Sequence, residues 1–68
     1  MDLRAAVQLV GADSRNDISP DMTDTEAVAH HRDSVGADID GSVDDPELLE
    51  AYHLVTAATN ADLAQVMA

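Results

Sequence analysis

Apolar residues recur at helical spacing in several stretches of this chain, and polar turn formers separate those stretches. In residues 2–10 (DLRAAVQLV) the apolar positions lie three or four residues apart and form one helix face: Leu3, Ala6, Val7 and Val10. Asp2 stands before this pattern as an N-cap residue, and Gly11 follows it as a residue type that commonly ends helices. The pattern predicts a first helix over residues 1–10.

A second helix is indicated by its start rather than by its apolar face. Residues 11–22 (GADSRNDISPDM) are rich in turn formers and predict a loop. The following TDTE, residues 23–26, matches the capping box, in which the Thr23 hydroxyl caps the backbone of Glu26 and the Glu26 side chain bonds back. We therefore expect a helix over residues 23–34, with only a narrow apolar edge.

The longest apolar pattern fills the C-terminal part of the chain. Asp44 or Asp45 is predicted to cap a helix, and Pro46 and Glu47 suit its first turn. The apolar stripe that follows recurs at spacings of three and four: Leu48, Tyr52, Val55, Thr59, Leu63 and Val66. Neither glycine nor proline interrupts it, so we predict one long helix over residues 46–68, helical to about residue 67. Its soft point is Thr59–Asn60, where a separate final turn could begin.

These elements predict an all-α fold: a single small domain over residues 1–68, with two short N-terminal helices, an acidic loop over residues 35–45 and one long C-terminal helix. Its core is expected to be thin, because Tyr52 is the only aromatic residue. Proteins of this size usually add disulfides, a metal or a partner surface. The chain has no cysteine, so we expect a partner, either a larger protein assembly or a second copy. The predicted interface is the stripe of the last helix: Leu48, Leu49, Tyr52, Val55, Leu63 and Val66.

The net charge of the chain indicates the medium in which the protein works. The chain has 14 acidic residues, mostly aspartate, against 3 arginines and no lysine, for a net charge of −11. A normal apolar fraction with short carboxylates in place of lysine resembles the proteins of haloarchaea and their viruses, which work in multimolar salt. Salt shortens the Debye length to about 3 Å at 1 M, so the self-repulsion of such a surface is largely screened there.

The same balance argues against two classes of partner. Nucleic-acid binding needs clustered lysine and arginine, and Arg4, Arg15 and Arg32 are scattered among acidic residues. The apolar runs are far shorter than the 18 or more residues of a membrane-spanning helix, and no signal peptide is visible. We expect a cytoplasmic protein, or a virion component if the chain is viral.

A calcium loop is the one candidate metal site. Over residues 36–47 the carboxylates of Asp38, Asp40, Asp44 and Glu47 fall at ligand positions of an EF-hand loop, which the stretch resembles. However, Gly36 occupies the first ligand position and offers no side-chain oxygen. The alternative interpretation is a polar turn that leads into the last helix, and it explains the same residues without a metal.

No pattern predicts catalysis. His30 and His31 are adjacent, so on a helix they point about 100° apart and cannot easily share a metal. The serines lack the strand-and-turn context of a hydrolase nucleophile. We therefore expect neither enzymatic activity nor a cofactor.

Three functions remain as hypotheses. Residues 44–63 (DDPELLEAYHLVTAATNADL) are similar to small helical head–tail connector proteins, and with the acidic composition this resemblance implies a virion component of a halophilic tailed virus, capsid-associated or head–tail joining. An acidic regulatory adaptor or antitoxin-like module that covers a basic partner is the first alternative. A degenerate EF-hand-like calcium module is the second.

Overall fold

The computed structural model describes residues 1–32 and 43–67, which form four α-helices and no strand. The helices are α1 (Leu3–Asp17), α2 (Asp24–His30), α3 (Pro46–Ala57) and α4 (Asn60–Met67). The all-α prediction is confirmed. The predicted three-helix layout is wrong in two places, because α1 is longer than expected and the C-terminal segment is divided into α3 and α4.

Gly11 does not end the first helix, so residues 12–17 of the predicted loop are helical. The glycine is buried where the start of α2 approaches α1. A Cβ placed on it would lie 2.8 Å from the Cγ of Asp24 and closer still to the carboxylate oxygen Oδ1. Arg15 holds that carboxylate through an ion pair of 2.8 Å. Position 11 therefore needs a glycine for space, not for a helix end.

The predicted caps of the first two helices are confirmed. The Asp2 carboxylate accepts a hydrogen bond from the backbone N–H of Ala5 at 2.8 Å. The Thr23 hydroxyl accepts from the N–H of Glu26 at 3.1 Å, and the Glu26 carboxylate accepts from the N–H of Thr23, also at 3.1 Å. After His30 the backbone continues through a wider turn at His31 and Arg32, and the predicted end of this helix at residue 34 lies outside the described ranges.

The C-terminal segment begins as predicted and then breaks. Asp45 caps α3 by accepting from the N–H of Glu47 at 2.9 Å, with Pro46 in the first turn. At Ala58 the backbone is extended (φ −68°, ψ 147°), which ends α3. The Thr59 hydroxyl then caps α4 by accepting from the N–H of Asp62 at 3.1 Å. The break lies at Ala58, next to the predicted soft point at Thr59–Asn60.

Arg32 stabilises this break from the end of α2. Its guanidinium donates to the carbonyl oxygens of Val55 and Ala58 at 2.8 and 2.6 Å. Carbonyl groups in the last turn of a helix lack intrahelical donors, and a cation is favoured at that end of the helix dipole. The arginine therefore caps α3 and helps to hold the turn that redirects the chain into α4.

Helix α1 lies at the centre of the fold, and α2, α3 and α4 all pack against it. The buried apolar residues of the described ranges form one cluster: Ala6, Val7, Val10, Ala27, Val28, Ala51, Tyr52, Val55 and Leu63. Most of these side chains are small, which lets the helices approach closely but leaves few large groups to bury. No helix within these ranges is both long enough and apolar enough to cross a membrane.

Candidate functional site

The predicted interface is divided between the interior and the surface. Tyr52, Val55 and Leu63 belong to the chain's own core and are at most 5% exposed. Leu48, Leu49 and Val66 are partly buried and pack around the edge of that core. Side chains that the folded chain already covers offer a partner almost no surface. Three of the six predicted contacts therefore belong to the chain's own core, and the interface stays a prediction that concerns mainly the edge residues Leu48, Leu49 and Val66.

The calcium prediction is only partly within the described ranges. Asp38 and Asp40 lie outside them, whereas Asp44 is exposed just before α3 and Glu47 lies in the first turn of that helix. The residues that are described contain no group of three or more histidine, cysteine, aspartate or glutamate side chains that could hold a metal. The Asp45 cap and Pro46 match the alternative interpretation of a helix start.

An apolar groove runs between α1 and the first half of α3. It consists of two neighbouring hollows that share Leu9 and Glu47. The apolar residues that line these hollows form its floor: Met1, Ala5, Leu9, Ala12, Pro46 and Leu48. Leu9 and Leu48 pack against the core and keep part of their surface exposed, and Met1 is 46% exposed. We call this feature the α1–α3 groove.

The edges of the α1–α3 groove are acidic. Its lining includes the carboxylates of Asp13, Asp45, Glu47 and Glu50, together with Asn16, and no lysine or arginine. All of these carboxylates except Asp13 belong to exposed residues, and the N-terminal ammonium of Met1 lies 3.3 Å from Glu50. The groove therefore combines an apolar floor with a mainly acidic rim, a composition that suits a docking surface.

This groove was missed by the sequence analysis because α1 carries two apolar stripes. The stripe of Val7 and Val10 faces the core, and it is the more apolar of the two. The second stripe, at Met1, Ala5, Leu9 and Ala12, follows spacings of four, four and three and faces outward. Its spacing is visible in the sequence, but only the packing of α3 beside Leu9 shows that this stripe forms a groove.

A buried histidine packs beside a tyrosine whose hydroxyl reaches the groove rim. His31 is 1% exposed, its Nε2 is 3.0 Å from the hydroxyl of Thr56, and its ring packs at a tilt on Tyr52 with centroids 4.4 Å apart. The Thr56 hydroxyl donates to the backbone carbonyl of Tyr52 at 2.8 Å, and the Tyr52 hydroxyl donates to Asp13 on the groove rim. These two bonds lie at opposite ends of Tyr52, so the packing of the two rings, not a continuous chain of hydrogen bonds, connects His31 to the rim.

The hydrogen-bond directions assign the tautomer of His31. Because the single hydroxyl proton of Thr56 is used toward the Tyr52 carbonyl, Nε2 must carry the proton that joins the imidazole to Thr56. Nδ1 is then a buried acceptor, and it has no hydrogen-bond partner among residues 1–32 and 43–67. A base that activates a hydroxyl must accept its proton, so this pair has the opposite polarity to a catalytic pair.

Burial shifts the titration of both rings. Desolvation lowers the pKa of His31 from 6.5, and the neighbouring His30 lowers it further. Burial raises the pKa of the Tyr52 hydroxyl well above its ordinary value of 10.0, with the Asp13 carboxylate as the next cause. Both groups are therefore uncharged at neutral pH, and Tyr52 remains a donor to the rim carboxylate.

A comparison with models of protein families found no match, and comparisons with curated proteins and with solved structures found none either.

Proposed function

We propose that this chain is a non-enzymatic interaction subunit that docks on a larger protein assembly through the α1–α3 groove. The observation that carries the proposal is the partly exposed apolar floor around Leu9 and Leu48, bounded by the carboxylates of Glu47 and Glu50. An apolar surface with a polar rim is the usual anatomy of a protein interface. Covering that floor would also add apolar burial to a core composed mostly of small side chains.

The setting we favour is the virion of a halophilic tailed virus, in a capsid-associated or head–tail joining position, or the cytoplasm while assembly proceeds. Support comes from the composition, since a lysine-free chain of net charge −11 suits a medium in which salt screens self-repulsion. The connector-like character that we expect of residues 44–63 belongs to the same proposal. The docking surface differs from the predicted C-terminal stripe, because α1 covers most of that stripe.

A regulatory adaptor that covers a basic partner is the second candidate, and the acidic rim of the groove favours it. The two proposals differ in their response to salt. Apolar docking persists or strengthens when the salt concentration rises, whereas binding dominated by long-range charge attraction weakens steeply.

Sedimentation tests the proposal directly. The tagged chain would be purified from its source at the native salt concentration, and its sedimentation compared with that of the recombinant chain alone at about 0.1 M and about 1 M KCl. We expect the recombinant chain to sediment as one small folded species and the native material to sediment in a complex of defined composition. A chain that sediments as the free monomer in both preparations would contradict a docking function.

A further inference from the structure

We infer that the occupant of the α1–α3 groove is a basic amphipathic helix: a segment with one apolar face and lysine or arginine along both edges of that face. This inference rests on the proposed docking function and specifies the chemistry of the partner. Its basis is the match between an apolar floor at Leu9 and Leu48 and a rim with four carboxylates, of which only Glu50 is paired with a cation, the N-terminal ammonium of Met1.

The dimensions of the groove suit a helix. Its α1 side extends from Met1 to Asn16, about 20 Å at 1.5 Å per residue, whereas its α3 side extends only from Asp45 to Glu50, about 8 Å. A partner helix of about 15 residues would match the α1 side, with apolar side chains at every third or fourth position directed to the floor. An extended strand is a poorer fit, because the groove is bounded by helices whose backbone groups are already bonded and cannot pair with it.

Charge selects the partner among the possible helices. A second copy of this chain would bring its own net charge of −11 to a surface rimmed by Asp13, Asp45, Glu47 and Glu50. Like charges placed opposite each other oppose association, whereas lysine or arginine at the edges of an apolar face would find a carboxylate on either side. The rim therefore disfavours self-association through this groove and favours a basic partner.

High salt lowers the electrostatic contribution to binding relative to the apolar contribution, but it does not change which partner is favoured. At about 1 M salt the Debye length is about 3 Å, so the rim attracts little from a distance. Carboxylates in direct contact with a partner cation still discriminate between basic and acidic edges, while the apolar floor provides most of the affinity. We expect affinity that falls between low and moderate salt and then reaches a plateau.

The probe is a synthetic helix of about 15 residues, with leucine on one face, lysine along both edges and alanine elsewhere. One control peptide replaces every lysine with glutamate, and a second has the same composition in an order that distributes the leucines around the helix. Binding to the full chain is measured by calorimetry at about 0.1 M and about 1 M KCl. We expect the lysine peptide alone to bind with one-to-one stoichiometry.

Three variants with the same change in net charge locate the binding site. Ala12→Arg places a long cation in the floor at an exposed position of α1, and we expect it to weaken binding at least about tenfold, or about 1.4 kcal/mol. Glu47→Gln removes one rim charge where the two hollows meet, and we expect binding to weaken a few-fold at low salt and less at high salt. Asp21→Asn lies in the connection between α1 and α2, away from the groove, and should leave binding unchanged.

Several results would overturn the inference. Equal binding of the glutamate peptide or of the reordered peptide would show that the groove does not select a basic amphipathic helix. Unchanged binding by Ala12→Arg, with helical content equal to that of the wild type, would place the site elsewhere. Self-association of the free chain that Ala12→Arg abolishes would make a second copy the occupant. If Ala12→Arg disrupts the native complex while the lysine peptide fails to bind the wild-type chain, the docking function stands and this inference alone fails; an intact native complex with Ala12→Arg would overturn both.

Discussion

The buried imidazole of His31 makes stability depend on pH in a range where carboxyl groups contribute little. Desolvation and the neighbouring His30 lower the pKa of His31 in the folded state from 6.5. The unfolded chain therefore binds a proton at this side chain more readily than the folded chain does. Stability due to the neutral imidazole is complete above about pH 6.5 and falls as the pH is lowered through the folded-state pKa.

The slope of this effect has a physical limit. A difference of one bound proton changes the free energy of unfolding by at most about 1.4 kcal/mol for each pH unit. A core in a chain of this size rarely supplies more than about 3–5 kcal/mol, so the loss is a large share of the total. Protonation would occur at Nδ1, which is buried and has no acceptor in the described part of the chain, so no hydrogen bond there offsets the cost of the charge.

The assay is urea unfolding, followed by circular dichroism at constant salt between pH 7.5 and pH 5, a window above the usual carboxyl pKa values of about 4. His31→Phe keeps a ring beside Tyr52, loses the hydrogen bond to Thr56 at about 0.5–1.5 kcal/mol, and removes the unpartnered Nδ1, worth about 1–3 kcal/mol. We expect this variant to be as stable as the wild type at pH 7.5, or slightly more stable, and to lose less stability at pH 5.

His30→Gln is the matched control, because it removes an exposed imidazole from the preceding position. We expect it to retain most of the pH dependence of the wild type. A wild-type chain whose stability is flat from pH 7.5 to pH 5 would refute the assignment of a buried neutral His31. The same refutation follows if His31→Phe keeps the full wild-type slope.

Two further substitutions test the caps at neutral pH, with urea unfolding as the measurement. Arg32→Ala removes the donor to the carbonyls of Val55 and Ala58. We expect the free energy of unfolding to fall by about 2 kcal/mol, since hydrogen bonds to charged groups contribute about 1.5–3 kcal/mol and this arginine is only partly buried. Arg32→Lys should recover part of that loss, and a loss below about 0.5 kcal/mol for Arg32→Ala would show that the α3–α4 turn forms without this cap. Thr23→Ala breaks the capping box with Glu26 and should cost about 1 kcal/mol, whereas an unchanged urea midpoint would mean that packing alone defines the start of α2.

The helix starts were predictable because each depends on residues close together in sequence. A capping side chain bonds to a backbone N–H two or three positions later, so Asp2, Thr23 and Asp45 act within their own turns. The helix ends depended on distant residues. Position 11 is a glycine inside the helix because Asp24 occupies the space beside it, and nothing in residues 1–11 contains that information.

The site was harder to predict for the same reason. A continuous apolar stripe from Leu48 to Val66 predicts a helix face, but it does not tell whether the face meets a partner or another part of the chain. Here α1 covers most of it. Conversely, the sequence does not indicate that Leu9 lines a groove. A helix with two weak apolar stripes can bury either one, and only the positions of the neighbouring helices decide which stripe stays exposed.

The central position of α1 has a consequence for how the chain opens. Helices α2, α3 and α4 pack mainly on α1 and contact one another only slightly. If α1 detached, all three would lose their main packing partner at once. Local opening that spares the remainder is then costly, and the described helices should unfold together. A ligand seated on the outer side of α1 would hold that helix in place and protect every other helix from hydrogen exchange, including α4, which provides none of the groove's lining.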